Sequence, residues 1–341
     1  MDKLHIGVVG IGFGQHVLVP AFRGDERCEI LGIAASTRER AAEVAARLSI
    51  PRAYGGWQEL CADRAIDAVV IALPPARQPE VALAAARAGK HLFCEKPVAL
   101  DEHTAAEIYS AAREQGVVHA VDFEFREIPA WRELQRLLAA RAIGSLRQVQ
   151  LSWRLEILAH RRKLDSWKVR LADGGGTLNT FVSHSLYSLE WLFGPILRLN
   201  ARLEPSEPDI HVDAWLEFAA GFSGALSVGT DLFLGSGHRL EVFGDQGTLV
   251  LHNPSADYVK GFSLAVGTRD SGSFATVIGP GDEPPGDGRI AAVGSLARRF
   301  VDAIQGGKEM VPNLQDGVRV QSLIDTMRRS HRSGGWQSIP N

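Results

Sequence analysis

Leu4-His5-Ile6-Gly7-Val8-Val9 runs without a break into Gly10-Ile11-Gly12-Phe13-Gly14-Gln15. An apolar strand that ends in a glycine turn and continues as a helix is the opening of a dinucleotide-binding unit. The first glycine permits a tight turn, and the second lets the backbone approach a pyrophosphate. The start of the helix then offers free N–H groups and a partial positive charge to the phosphates. A strict pattern places its third glycine at position 15, where this chain has Gln15, and Gly14 comes one place early. The alternative is a glycine-rich turn that holds no ligand; the order of strand, turn and helix favours the phosphate site. On this reading Gly10, Gly12, Phe13, Gly14 and Gln15 hold a cofactor.

Working outward, short apolar runs alternate with alanine-rich helical stretches. Strands are expected at Leu4–Val9, Glu29–Ala34, Ala68–Ala72, His91–Cys94 and Val117–Val121, and helices around Val17–Arg23, Thr37–Leu48, Pro79–Ala88 and Glu102–Gln115. Near-continuous apolar strands separated by helices mean a parallel sheet covered on both faces, which binds ligands beyond the carboxyl ends of its strands. The pattern changes after Phe125. A helix at Trp131–Ala140 leads into alternating runs at Ser145–Leu155, Ala214–Phe218, Gly224–Thr230, Arg239–Phe243 and Thr248–His252. These read as an antiparallel sheet with one face packed, interrupted by helices at Asn179–Phe193, Val293–Gln305 and Asp316–Ser330. With 341 residues the chain exceeds one comfortable core, so two domains are expected, residues 1–122 and 123–341. The stretch Gly267–Gly288, rich in Gly, Pro, Ser and Asp, reads as a long surface loop.

Composition narrows the function classes. A formal charge of −3 gives no general attraction to nucleic acid or an anionic membrane, and no apolar run approaches the ~20 residues of a membrane span. The first residues lack the apolar stretch and cleavage site of a signal peptide. Cys28, Cys61 and Cys94 are scattered and odd in number, as suits reduced thiols in the cytoplasm. The 11 histidines form no ligand-like cluster with Cys or acids, so no metal is expected. No serine nucleophile elbow or P-loop lysine is present.

The end of the second strand bears on the cofactor. An Asp or Glu there holds the ribose 2′-hydroxyl of NAD, whereas an arginine accommodates the 2′-phosphate of NADP. Here the chain reads Ala34-Ala35-Ser36-Thr37-Arg38, with no acid before Glu39. Ser36 and Thr37 can donate hydrogen bonds and Arg38 can neutralise a phosphate, which favours NADP over NAD. Equally, Ser36 or Thr37 can cap the following helix, and both roles are compatible. Leu73-Pro74-Pro75 after the next strand is placed to line the cofactor groove or to serve only as a turn.

Cys94-Glu95-Lys96-Pro97, in its setting Ala88-Gly89-Lys90-His91-Leu92-Phe93, carries a more specific signal. Together with the glycine turn, Gly144-Ser145-Leu146-Arg147, Gly174-Gly175-Gly176-Thr177-Leu178 with His184, and Phe300-Val301-Asp302-Ala303-Ile304, it resembles the Gfo/Idh/MocA family. The resemblance covers nearly the whole chain. It implies an N-terminal Rossmann domain and a C-terminal α/β domain built on a large open, mostly antiparallel sheet. It also implies a homodimer or homotetramer, and hydride transfer between a nicotinamide and a hydroxyl or keto carbon of a sugar, inositol or related polyol.

Site residues follow from the same resemblance. Lys96 matches the family's catalytic lysine: an ammonium beside the reacting oxygen stabilises alkoxide character as hydride leaves. Glu95 and Lys96 adjoin the reacting end of the cofactor, and Pro97 stands where the family often has a cis peptide. His184 matches the family's acid/base histidine, whose ordinary pKa near 6.5 suits proton exchange at neutral pH. Inositol-dehydrogenase-like members carry an aspartate four residues before it; this chain has Thr180, which cannot stabilise an imidazolium as a carboxylate does. Three readings follow: His184 works with Thr180 alone, Lys96 carries the proton transfer, or the protein is not a polyol dehydrogenase. Trp167-Lys168 matches an aromatic-basic pair near the nicotinamide, where Trp167 can stack on a ring, although a tryptophan is more often core. Asp122, Glu124 and Arg126 share one face if the stretch is extended, touching substrate or forming an ion pair. Tyr187 lies one helical turn beyond His184 and is a further substrate candidate. Two other functions fit the same fold: a nucleotide-sensing regulator without turnover, and an NAD-dependent glycosidase that oxidises transiently.

Overall fold

The computed structural model describes residues 3–204, 207–255, 257–281 and 286–340. Its first sheet has six strands: β1 (Leu4–Val9), β2 (Cys28–Ala34), β3 (Arg52–Tyr54), β4 (Ala68–Ile71), β5 (His91–Cys94) and β6 (His119–Val121). All pair in parallel, in the order β3-β2-β1-β4-β5-β6. The order reverses between β1 and β4, which makes that point the ligand-binding crevice of a doubly wound sheet. The helices Arg38–Leu48 and Glu102–Glu114 connect strands and start on side-chain caps. Thr37 Oγ1 accepts from the Arg40 N–H at 3.3 Å, and an Asp101 oxygen accepts from the Thr104 N–H at 2.8 Å. Such caps contribute about 1 kcal/mol each.

Registers align the carboxyl ends of the strands. Val9 pairs with Ala34 and Ile71, Ile71 with Cys94, and Cys94 with Val121. The first residues past the strands, Gly10, Ala35, Ala72, Glu95 and Asp122, therefore follow one another along a single edge.

The chain divides into two units. The first runs through Glu124 and takes up Arg289–Gln321 again; the second comprises Phe125–Gly288 and the chain from Ser322 onward. The crossing falls two residues past the expected boundary at 122. The return of Arg289–Gln321 differs from a second domain spanning all of 123–341. Its cause is the apolar face of the helix Arg289–Gly306, where Val293, Leu296, Phe300 and Val301 are buried in the first unit's core. Phe300 packs edge-on against Phe22 and Phe93, with ring centroids 6.3 and 5.7 Å away. Helical periodicity reveals that such a face exists but not which sheet covers it.

The second unit carries nine strands: β7 (Leu146–Arg154), β8 (Ile196–Glu204), β9 (His211–Phe218), β10 (Ser223–Gly229), β11 (Gly237–Gly244), β12 (Gly247–Asn253), β13 (Ser263–Thr268), β14 (Phe274–Ile278) and β15 (Gln337–Ser338). Their order is β14-β13-β12-β11-β7-β10-β9-β8-β15, antiparallel throughout except where β7 pairs with β10. Alternation puts Val149, Leu151 and Trp153 of β7 inside and leaves Trp215 of β9 55% exposed on the opposite face.

Some elements depart from the sequence expectation. β14 and the last two residues of β13 lie inside the stretch expected to be loop. β14 is held by its ladder to β13 and faces solvent on both sides, so it shows no alternation. β3, β8 and a short helix at Trp57–Ala62 were not anticipated. The helices expected at Val17–Arg23 and Asn179–Phe193 begin instead with π-helical turns at Gly14–Leu18 and Leu178–Val182.

Candidate active site

In the first unit the glycine turn follows β1. Gly10 has φ +107° and donates its N–H to the Ala34 carbonyl at 3.0 Å. A β-carbon on Gly10 would stand 2.3 Å from the Ala72 carbonyl oxygen, so glycine is required twice over. A β-carbon on Gly12 would meet nothing within 4 Å, so its bareness leaves open space before the backbone. That is the fit a pyrophosphate needs, and a side chain there would fill it. Leu73 borders this turn: its Cδ2 would lie 3.3 Å from the Gly10 β-carbon. Pro74 and Pro75 follow, with the Pro74 carbonyl accepting from the Arg77 N–H at 2.8 Å. The Arg289 guanidinium lies 5.1 Å over the Phe13 ring, and Gln15 Oε1 accepts from Arg47. Neither arginine was singled out in the sequence.

At the end of β2, Thr37 caps the helix as expected. Arg38 is engaged elsewhere, donating to the Ala53 carbonyl at 3.2 Å and pairing with Glu59. Arg40 reaches back instead, its Nη1 donating to Ser36 Oγ at 3.1 Å. The spacing of four residues on the first helical turn was the available signal for Arg40.

Beyond β5 and β6 the same edge gathers four ionisable groups. Gln78, itself buried, donates to the carbonyls of Glu95 at 2.9 Å and Pro97 at 2.8 Å, holding the Lys96 turn from behind. The Lys96–Pro97 peptide is cis. The Asp122 N–H donates to the Cys94 carbonyl at 2.9 Å, which sets Asp122 beside Glu95. Asp122 and Glu124 are only 1% and 3% exposed. Burial pushes the Lys96 ammonium below its ordinary value, against the pull of Glu95, Glu124 and Asp122. Burial raises Asp122 well above the usual carboxylate range, and repulsion from Glu95 and Glu124 adds to this. Glu124 is pushed up to about 7 by burial, with Lys96 acting in the opposite direction.

Arg126 does not share a face with these acids. Glu124–Glu127 forms a 3₁₀ turn, whose period of three replaces the alternation of an extended stretch. Arg126 belongs to the second unit. There its Nη1 donates to the Tyr187 hydroxyl at 2.8 Å and its guanidinium covers the Trp191 ring at 5.4 Å.

His184 occupies the first turn of the helix Ser183–Phe193 in the second unit and is 4% exposed. Two features fix the approach to it. Gly176 has φ +109°, and a β-carbon there would stand 2.5 Å from Asp209 Oδ1. The buried Asp209 carboxylate accepts from the Leu178 N–H at 2.6 Å, a role no sequence motif announced. The imidazole stacks on Phe125, with centroids 4.8 Å apart and planes inclined 11°. Trp153 and Tyr258 stand 6.4 and 6.5 Å away. Thr180 donates its hydroxyl to the Gly176 carbonyl at 2.6 Å, so toward any other group its oxygen can only accept. Trp167 and the exposed Lys168 form a short 3₁₀ turn whose Lys168 carbonyl accepts from the Gly176 N–H at 2.9 Å. The structure thus brings Glu95, Lys96 and Glu124 together in one unit, and Arg126 with Tyr187 in the other.

Comparisons with known proteins agree with this fold. Residues 4–123 match the family described as an oxidoreductase family with an NAD-binding Rossmann fold, and residues 131–250 match the GFO/IDH/MocA C-terminal domain. An uncharacterised oxidoreductase of Synechocystis sp. is 31% identical, over 99% of this chain and 97% of its own. The chain belongs to the Gfo/Idh/MocA family. Among other members, the levoglucosan dehydrogenase of Pseudarthrobacter phenanthrenivorans is 25% identical over 100% of this chain and 99% of its own. A solved levoglucosan dehydrogenase, in complex with NADH and levoglucosan, shares the fold with a TM-score of 0.88, 24% identity and full coverage of both chains. As a Gfo/Idh/MocA protein the chain is an oxidoreductase with an NAD-binding Rossmann domain. Among the described residues no helix is long and apolar enough to cross a membrane, and no three His, Cys, Asp or Glu side chains gather to hold a metal ion.

Proposed function

We propose that this protein is an NADP(H)-preferring dehydrogenase or reductase acting on a hydroxyl or keto carbon of a sugar, inositol or related polyol. The observation that carries this reading is the shared edge of the parallel sheet, with the bare Gly12 backbone at one strand end and Lys96 two strands away. Gly10, Gly12, Phe13, Gly14 and Gln15 hold the pyrophosphate half, with Leu73, Pro74, Pro75, Glu95, Trp167 and Lys168 as further cofactor contacts. Bound there, the nicotinamide supplies the acceptor or donor of hydride. Lys96 hydrogen-bonds the reacting oxygen and stabilises its developing negative charge. His184 or Lys96 exchanges the hydroxyl proton, Arg126, Thr180 and Tyr187 contact substrate, and Glu124 stands with Lys96 at the substrate end of the site. The names of the levoglucosan dehydrogenase relatives support a sugar as the substrate class.

Preference for NADP rests on Ser36, Thr37 and Arg38, to which the structure adds Arg40 hydrogen-bonded to Ser36. Three buried free thiols suit the cytoplasm, and the exposed Trp215 on the open sheet face suits a homodimer or homotetramer.

The test is a parallel titration with NADPH and NADH, followed by nicotinamide fluorescence, and then a screen of sugars and polyols. Tighter NADPH binding by tenfold or more, roughly 1.4 kcal/mol, is expected. A preference for NADH would overturn the 2′-phosphate reading and leave the dehydrogenase. Binding of neither to folded protein would overturn both.

A further inference from the structure

Resting on the dehydrogenase reading, we propose that Glu124 stores the proton released when the substrate hydroxyl is oxidised, receiving it through Lys96. Glu124 is thus a positioning and proton-holding residue behind Lys96 and makes no contact with the reacting carbon.

Topology brings the pair together. Cys94 and Val121 are paired across β5 and β6, so Glu95-Lys96 and Asp122 through Glu124 leave the sheet side by side. The charges there do not cancel. Three carboxyls, Glu95, Asp122 and Glu124, act on the Lys96 ammonium, and Arg289 is a second cation acting on Glu124. Asp122 and Glu124 are almost wholly buried, so water does not screen their repulsion. Burial and the repulsion of Glu95 and Glu124 raise Asp122 well above its ordinary value. Glu124 stands at about 7 and can both accept and return a proton there. His184 has different surroundings: Phe125, Trp153 and Tyr258 supply rings, and Thr180 supplies no negative charge to hold an imidazolium.

The step balances as follows. With a nicotinamide bound, oxidation would break the substrate C–H bond, whose electron pair would leave as hydride to it, while the O–H electron pair becomes the second carbon–oxygen bond. It also breaks the O–H bond, whose proton passes to Lys96 Nζ while Lys96 gives one of its own protons to the Glu124 carboxylate. Lys96 ends as the ammonium it was, Glu124 ends as a carboxylic acid, and reduction runs the exchange backward.

Two measurements test this. The first uses cofactor-free protein and needs no turnover: the pH dependence of Lys96 acetylation by acetic anhydride, read by mass spectrometry in wild type, Glu124→Gln and Glu124→Asp. Glu124→Gln should move the Lys96 inflection down by about one pH unit, since a supporting carboxylate is lost, and Glu124→Asp should restore most of it. An unmoved inflection in folded Glu124→Gln overturns the coupling. The second is the pH profile of sugar oxidation. Wild-type kcat should rise with pH through a limb near 7, and Glu124→Gln should be at least about tenfold slower with that limb gone. A retained limb overturns the proton-storing role. If Glu124→Gln fails to fold, the wild-type infrared band of a protonated carboxyl decides instead: titration near 7 supports the proposal and its absence overturns it. A wild type that oxidises no sugar would defeat the proposed substrate class, and the acetylation shift would still decide the Lys96–Glu124 coupling.

Discussion

Lys96 lies among carboxyls at the edge of a parallel sheet, whereas His184 lies among aromatic rings in a unit built on an antiparallel one. In the first unit the behaviour of the reactive group is set by charge. Burial drives the ammonium toward losing its proton, three acids oppose that, and the outcome turns on which acids are ionised. In the second unit position is set by packing. Phe125 stacks on the imidazole, and hydrogen bonds from the backbone of Leu178 and the hydroxyl of Thr180 fix the helix that carries it. A change of charge near Lys96 should therefore alter pH dependence, and a change of shape near His184 should alter rate without moving the profile.

The largest effect should follow removal of the ammonium. Lys96→Met keeps the length and apolar stem of the side chain and loses the hydrogen bond to the reacting oxygen. Turnover should fall by about 100-fold or more with nicotinamide affinity within about threefold of wild type. Steady-state kinetics beside a fluorescence titration would measure both. Near-wild-type turnover would remove Lys96 from the chemistry and dissolve the contrast between the units.

His184→Phe asks the complementary question, because phenylalanine can keep the stack on Phe125 and cannot exchange a proton. A fall in kcat of about 10- to 50-fold is expected, smaller than for Lys96→Met, with KM little changed. Should the two variants be equally slow, His184 and not the Lys96–Glu124 pair would be the main proton route, and the division proposed above would fail.

How much of this could be read from the chain differs between the same two regions. The parallel sheet, β3 apart, was legible because its other strands are largely buried and its glycine turn joins strand to helix at Gly10, where a side chain does not fit. Lys96 was legible through the resemblance carried by Glu95-Lys96-Pro97. The coupling of Lys96 to Asp122 and Glu124 was not, since it depends on the register of β5 with β6, and no local pattern fixes a pairing between strands. The extended reading of Asp122–Arg126 failed for a related reason: local alternation is overridden when the chain turns after Glu124. In the second unit, β14 has no buried face, and Asp209 acts on residues some thirty positions earlier, so neither leaves a periodic trace. The return of the helix Arg289–Gly306 is likewise a tertiary choice, made by Phe22 and Phe93.

The end of β2 allows a finer test of charge recognition. Arg40→Ala should weaken NADPH by about tenfold and leave NADH unchanged, because its guanidinium is the one hydrogen-bonded to Ser36. Arg38→Ala should cost less, since Arg38 is already paired with Glu59. Equal losses of NADPH and NADH in Arg40→Ala would mean the arginine supports the helix and reads no phosphate.

The smallest expected effect concerns the neutral interior of the second unit. His238 stacks on Trp153 with centroids 4.3 Å apart and planes inclined 4°, and neither ring nitrogen has a hydrogen-bond partner among the described residues. Burial lowers its pKa to about 3. Its folded value lies below the unfolded one near 6.5, so the unfolded chain takes up a proton first as pH falls, and stability drops between about 6.5 and 3. His238→Phe keeps the stacked ring and removes that proton. The variant should match or exceed wild type at pH 7.5, and at pH 6 its stability should fall by about 0.8 kcal/mol less than the wild type's. Urea unfolding at the two pH values measures the difference. His91 and His119, also lowered by burial, keep the remaining acid sensitivity in both proteins. A pH dependence identical to wild type would mean His238 is protonated in the folded state, and the second unit would then hold a charge within its ring cluster as the first holds one among its carboxyls.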